Sequence, residues 1–358
     1  MLTGVRLSHD CMRLALAAIA VSVLLVAALI TRVARKFALL HGVIDVPNER
    51  SSHLTPTPRG GGVSIVVAAT TGLIALTWLG AMRTPLLLAV GGGGLAVAIV
   101  GFLDDRRRLS VGIRFAIHLA AALWALSWLG GLPPLRVGAQ IVTLGWSGYV
   151  LGMLAIVWVL NLFNFMDGID GLAAVQGVFV TWGGALLAIV AGVHGEVAGA
   201  ALVLGAACCG FVRWNWPPAK IFMGDVGSGY LGYVIAVLAL AATRENPVAL
   251  WAWLTLGGVF FVDATVTLLR RLLRGERVYE AHRSHAYQWL ARRWRSHAKV
   301  TGTVLTVNVL WLLPCAVFAT RRPGFAAATA LFALAPLVLL AIAVSGRREA
   351  SDRRHLKQ

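Results

Sequence analysis

Three short segments gather carboxylates where apolar runs end. Gly101-Phe102-Leu103-Asp104-Asp105-Arg106-Arg107-Arg108 sets two adjacent acids before three arginines. Side-by-side carboxylates at a membrane edge repel each other unless a cation or proton compensates. The segment therefore reads as an ion-paired collar, or as a site that activates an acceptor or helps bind a divalent cation. Asn161-Leu162-Phe163-Asn164-Phe165-Met166-Asp167-Gly168-Ile169-Asp170-Gly171 has two amides, two carboxylates and no basic residue. That suits a metal or polar substrate better than membrane anchoring, with a plain Asx-rich turn as the alternative. In Pro217-Pro218-Ala219-Lys220-Ile221-Phe222-Met223-Gly224-Asp225-Val226-Gly227, Lys220 could meet phosphate oxygens, and the glycines leave Asp225 open to a cation. One Gly-Asp turn is a weak signal, but three acidic loops on one side are a stronger one.

Basic and imidazole groups complete the set. His53 and Arg59 flank a proline turn, Thr55-Pro56-Thr57-Pro58, and His282-Arg283-Ser284-His285 follows a strongly basic stretch. These groups suit contacts to a pyrophosphate, or else to anionic lipid. Asp263, ahead of Arg270 and Arg271, fits a structural ion pair or a site role, whereas His118 on an apolar run reads as a packing residue. The four cysteines show neither metal spacing nor a disulfide framework.

The elements that must position these residues are membrane helices. The 358 residues are 58% hydrophobic and 13% charged, too apolar for an ordinary soluble enzyme. Apolar runs near 14–31, 60–80, 85–103, 113–131, 149–166, 172–191, 197–214, 228–243, 248–269, 300–319 and 325–345 predict an all-α polytopic bundle of about eleven transmembrane helices. The first run is expected to stay as a span, because Arg32, Arg35 and Lys36 follow it like a stop-transfer signal. With the N-terminus outside (periplasmic) and the C-terminus cytoplasmic, only Arg6, Arg13, Arg83, Arg136, Arg244, Arg321 and Arg322 of 32 Lys and Arg fall outside. Only Asp10, Glu196 and Glu245 of the 15 acids do so, which makes the cytoplasmic face the expected active face. Gly91 to Gly94 read as a close-packing stripe. The net charge of +17 lacks an interleaved aromatic platform and fits a membrane surface rather than nucleic acid.

Together, Thr55-Pro56-Thr57-Pro58-Arg59-Gly60-Gly61, Leu103-Asp104-Asp105, the 161–171 segment and Phe222-Met223-Gly224-Asp225-Val226-Gly227-Ser228 resemble the polyprenyl-phosphate N-acetylhexosamine-1-phosphate transferases of glycosyltransferase family 4. The resemblance implies one integral-membrane domain over residues 1–358, with active-site loops near 41–62, 101–112, 161–171, 215–229 and 270–299. It implies transfer of a sugar 1-phosphate from a UDP-N-acetylhexosamine to undecaprenyl phosphate, release of UMP, and a need for Mg²⁺. By matching positions, Asp104 and Asp105 are the family's acidic pair and Asp225 its magnesium ligand. Asn161, Asn164, Asp167 and Asp170 fall in the nucleotide and active-site segment, and Phe222 matches a uracil-stacking residue. The 282–285 segment lacks the three-histidine run of the peptidoglycan-precursor enzyme. The wording around Asp45-Val46-Pro47-Asn48 and His282 to Gln288 looks closest to initiators of O-antigen or related surface polysaccharides. The implied place is a bacterial inner membrane, with membrane lipids as neighbours and a homodimer open.

On this reading Asp225, with an acid from 167–170, holds Mg²⁺ on the diphosphate. Asp104 or Asp105 deprotonates or positions the lipid phosphate, and His53, Arg59, Lys220, His282, Arg283 and His285 contact substrate. Direct transfer and a covalent aspartyl intermediate both remain open. Other readings are a phosphotransferase for CDP-linked lipids, whose later acid spacing this chain lacks, and a transporter of anionic lipid-linked sugars.

Overall fold

The computed structural model describes residues 9–47, 55–107, 109–138, 140–193, 195–276 and 284–355. His53, His282 and Arg283 lie outside them. The described helices are α1 (His9–Leu40), α2 (Val63–Trp78), α3 (Thr84–Arg107), α4 (Val111–Leu129), α5 (Ser147–Met166), α6 (Leu172–Val190) and α7 (Glu196–Asn215). They continue with α8 (Asp225–Glu245), α9 (Ala249–Leu256), α10 (Gly258–Leu273), α11 (Ala286–Trp294), α12 (His297–Arg321) and α13 (Ala326–His355).

Among the described residues, nine helices are long and apolar enough to cross a membrane, or ten if α9 and α10 form one span. The 60–80 run, expected as a full crossing, yields α2 with only 16 residues. The 248–269 run is not one straight helix: α9 and α10 meet at Gly257 with a 74° bend. A break in an apolar setting strands backbone groups that water cannot reach. Here Gln176 of α6 donates its amide to Leu256 O at 3.1 Å, and Asn308 of α12 donates to Gln176 Oε1 at 2.7 Å.

The central element is α8, whose most apolar stretch is 94% buried. Tyr233 Oη lies 2.8 Å from Ala89 O and 3.1 Å from Ala121 O, tying α8 to α3 and α4. Gly92, Gly93 and Gly94 receive Trp124, Tyr233 and Tyr230, the close packing their run predicts. The acidic loops meet at one end of the bundle, where Asp105 accepts from Asp225 N and Asp170 accepts from Ala219 N. At the other end Arg83 pairs with Glu196 at 2.6 Å and Arg244 donates to Gly130 O.

Two short antiparallel ribbons interrupt the all-helical pattern, β1 (Ile44–Asp45) with β2 (Thr57–Pro58) and β3 (Leu135–Val137) with β4 (Gln140–Val142). The first matters for the site. Phe222 N donates to Pro58 O at 2.8 Å, while Gly61 N and Gly62 N donate to Phe222 O and Met223 O at 2.9 Å. The segment leading to Asp225 is thereby stitched to the proline turn that carries Arg59. Gly62 permits this, because a side chain there would strike the backbone of Gly227.

Candidate active site

Asp225 opens α8, the buried axis of the bundle, and Asp105 reaches it from the last turn of α3. Asp105 Oδ1 accepts from Asp225 N at 3.2 Å, and Oδ2 accepts from Val226 N at 3.4 Å. A carboxylate from one helix thus caps another, where unpaired N–H groups and the helix dipole favour an anion. Arg59 Nη2 bridges the two acids, 2.7 Å from Asp105 Oδ1 and 2.9 Å from Asp225 Oδ1. Burial lowers the Arg59 pKa, but the carboxylates of Asp105, Asp225, Asp45 and Asp167 outweigh it and leave the guanidinium more firmly protonated than usual. One guanidinium between two carboxylates leaves the pair short of positive charge.

Asp104 also stands beside Asp225, but takes its own partners from the following turn and α4. Its Oδ2 pairs with Arg114 at 2.6 Å and its Oδ1 accepts from Leu109 N at 2.6 Å, which closes the turn between α3 and α4. The two adjacent acids are therefore compensated by Arg59 and Arg114. Arg106, expected as a counter-ion, lies over the Phe102 ring at 4.4 Å.

The 167–171 turn docks beside them. Asp170 Oδ2 accepts from Ala219 N at 3.0 Å, and Oδ1 lies 3.2 Å from His297 Nδ1. Asn215 joins the two loops by accepting from Gly171 N and donating to Ile221 O, both at 3.0 Å. Among the described residues, Asp167 alone of the five acids has neither an ion pair nor a side-chain hydrogen bond. Burial, and then the charge of Asp225, Asp105 and Asp170 against the opposing pull of Arg59, hold its carboxyl well above the usual range.

The remaining expected residues divide. Phe222 lines a cavity of about 740 Å³ with Thr57, Asp170, Arg292, Arg295 and His297. Asn161 donates its amide to Val157 O of its own helix at 2.7 Å, and Asn164 lies at the last turn of α5 with its side chain half-buried. Lys220 turns its ammonium toward Trp214, 5.7 Å from the ring, and does not line the Phe222 cavity. His285 is only 2% exposed and presents Nδ1 to Asp263 Oδ1 at 3.4 Å, stacked between Phe165 and Tyr287. Its imidazole in this arrangement serves the packing of α11, not an open phosphate site. The two alternatives for Asp263 resolve on the structural side: it caps α11 by accepting from Ala286 N and Tyr287 N at 2.9 Å. His118 is half-buried one turn beyond Arg114.

Sequence reasoning passed over Arg114, Asn215, Arg292, Arg295 and His297. Arg114 carried a signal, being a cation inside an apolar run. The others contact the site only through tertiary folding.

Among the described residues no three His, Cys, Asp or Glu side chains stand close enough to hold a metal ion by themselves. Mg²⁺ is commonly held by one or two carboxylates, with substrate phosphates and water completing its shell. Asp225, with Asp167 in electrostatic reach, offers that hard-oxygen donor set. The bridging guanidinium marks where the acids require positive charge. The residues fit an ion shared between protein and diphosphate.

A multi-span helical bundle whose acidic loops converge with an arginine at one end defines a polytopic membrane protein with a charged site at the ends of its helices. A glycosyl transferase family 4 model matches residues 87–243. The chain is 32% identical over 299 residues to a probable undecaprenyl-phosphate N-acetylglucosaminyl 1-phosphate transferase of Bacillus subtilis, covering 81% of this chain and 79% of that protein. A decaprenyl-phosphate N-acetylglucosaminephosphotransferase of Mycolicibacterium smegmatis is 30% identical over 313 residues, covering 77% and 76%. A phospho-N-acetylmuramoyl-pentapeptide-transferase of Moorella thermoacetica is 30% identical over 253 residues, covering 65% and 76%. The chain belongs to glycosyl transferase family 4 and is a membrane transferase.

Proposed function

We propose that the protein transfers an N-acetylhexosamine 1-phosphate from a UDP-sugar to undecaprenyl phosphate at the cytoplasmic face of a bacterial inner membrane, releasing UMP. The resulting lipid diphosphosugar would begin an O-antigen or related surface polysaccharide. The observation that carries the reading is the Arg59 bridge between Asp105 and Asp225, beside the cavity of Phe222 and Asp170. Matches to transferases whose names specify undecaprenyl or decaprenyl phosphate and N-acetylglucosamine support it.

Phosphoryl transfer is mainly a problem of alignment and charge stabilisation. Bound Mg²⁺ would neutralise charge developing on the diphosphate. Asp225 would hold the ion, with Asp170 in support, and Arg59 would exchange carboxylate oxygens for phosphate oxygens. Phe222 would stack on the base within its cavity, whose other wall carries Arg292, Arg295 and His297. Asp105 would fix Arg59 and the start of α8. Asp104 and Asp105 are both engaged by fixed partners, so the geometry favours Asp167 for accepting the last proton of the lipid phosphate. Burial and the neighbouring acids hold its carboxyl well above the usual carboxylate range, which suits it to take up a proton.

The test is incubation of the purified full chain with undecaprenyl phosphate and several UDP-N-acetylhexosamines, with and without Mg²⁺. UMP and a lipid product of the expected mass should form, and Asp225→Asn should abolish both. Movement of lipid-linked sugar without nucleotide cleavage would support the transporter reading instead.

A further inference from the structure

A second charged feature lies at the same end of the bundle and shares no lining residue with the Phe222 cavity. Between the last third of α1 and the end of α7 runs an open groove of about 520 Å³, lined by Leu29, Arg32, Arg35, Lys36, Arg213 and Trp214 among others. Its four cations come from two helices. Arg32, Arg35 and Lys36 occupy one face of α1 by their three- and four-residue spacing, and Arg213 faces them from α7. Among the described residues no carboxylate pairs with Arg32, Lys36 or Arg213. Arg35 is turned to the Lys220 carbonyl at 3.2 Å.

The surroundings identify the kind of ligand. On α1, Leu29 of the groove wall and Leu25 one turn nearer the middle of the bundle are exposed, at 61% and 60%, and Val33 beside the cations is exposed at 59%. Such a strip on a membrane helix meets acyl chains, and Trp214 beside the cations is the side-chain type that settles at the headgroup level. A basic recess between spanning helices, open to lipid along one flank, suits an anionic headgroup. Cations at helix ends also serve topology, but that role needs neither a shared groove nor contributions from two helices.

We propose that this groove binds the phosphate headgroup of an anionic phospholipid distinct from the substrate, with its acyl chains along Leu25, Leu29 and Val33. Through Arg35 and the Lys220 carbonyl, the bound lipid braces the segment that leads to Phe222 and Asp225. That consequence for turnover rests on the reaction proposed above, whereas the binding itself does not.

The test places the full chain in phosphatidylcholine nanodiscs with rising fractions of phosphatidylglycerol, and reads retained lipid by mass spectrometry together with the unfolding midpoint. Wild type should retain phosphatidylglycerol over phosphatidylcholine. Arg32→Gln/Lys36→Gln/Arg213→Gln should weaken retention about fivefold per charge, on the order of a hundredfold in all. Arg32→Lys/Arg213→Lys should stay within a few-fold of wild type, since a point charge suffices. Equal midpoints in pure phosphatidylcholine show that the variants fold. Unchanged retention by the triple variant overturns the proposal, as does equal stabilisation by inorganic phosphate or displacement of the lipid by undecaprenyl phosphate. Turnover should rise several-fold with phosphatidylglycerol in wild type only. Absence of any transfer under all conditions would sink the reaction while leaving the retention result readable.

Discussion

Gly101 offers a way to disturb the site without touching a charged residue. It lies one helical turn before Asp105, where α3 meets the start of α8. A Cβ added there would sit 2.6 Å from Val226 N and strike the Asp225 carbonyl group. Ordinary contacts begin near 3.4 Å, so Gly101→Ala requires a shift of about 1 Å, and backbone atoms cannot rotate away as a side chain could. That shift stretches the 3.2 and 3.4 Å bonds from Asp225 N and Val226 N past hydrogen-bonding distance and draws Asp105 from Arg59. Overpacking of this kind costs about 1–3 kcal/mol of stability. Misplacement on the order of 1 Å at a reacting centre costs about a hundredfold in rate. The assay is the initial rate of UMP release with saturating substrates, alongside thermal unfolding in the same detergent. Gly112→Ala is the control, since nothing lies within 4 Å of a Cβ at that position. Gly101→Ala working within twofold of wild type would show that the close approach of α3 to α8 does not set the reactive geometry.

Asp167→Asn should abolish transfer yet stabilise the substrate-free protein at neutral pH. Because burial raises the folded-state pKa, this acid's contribution is most favourable below the ordinary carboxylate range and is lost as pH rises through the raised value. Unfolding midpoints across that window should fall less in the variant. Gln176→Leu should cost about 1–3 kcal/mol by orphaning Leu256 O and the Asn308 amide, seen as a lower midpoint with the Mg²⁺ requirement unchanged. Arg114→Ala, which uncovers Asp104 at a site one-third exposed, should lower stability by about 1–2 kcal/mol and slow transfer several-fold; an unchanged midpoint would count against the pairing as a structural element.

The helices were legible because apolar runs this long leave few alternatives, and the convergence of three acidic loops was legible because acids at span ends need a compensating reason. The break at Gly257 was not, since a Gly-Gly pair does not disclose a bend; the bend depends on Gln176 being present to receive the freed carbonyl. Nor does the sequence say which cation each of two neighbouring acids takes. Asp104 and Asp105 differ only through Arg114, ten residues on, and Arg59, which no local pattern links to α3. His285 and His297 show the same limit. Proximity to a basic stretch drew attention to His285, which folding buries against Asp263, whereas His297 reaches Asp170 across 127 residues.

The acids at this end of the bundle are chemically alike but sit at opposite helix poles. Asp105 accepts from the first N–H groups of α8 and Asp225 lies in its first turn, at the positive end of a dipole that with Arg59 offsets part of the cost of burying their charge. A cation bound at Asp225 would offset the rest. Asp167 closes α5, where the last carbonyls present negative charge, and it lacks an ion pair among the described residues. Its proton is therefore held by burial, by neighbouring acids and by the pole it occupies. On the proposed roles, charge is favoured where the cation would bind and a proton is held where one would be exchanged, in line with the direction in which each helix enters the cluster. A swap of roles, Asp225 as base and Asp167 as the fixed anion, would require both helices to run the other way.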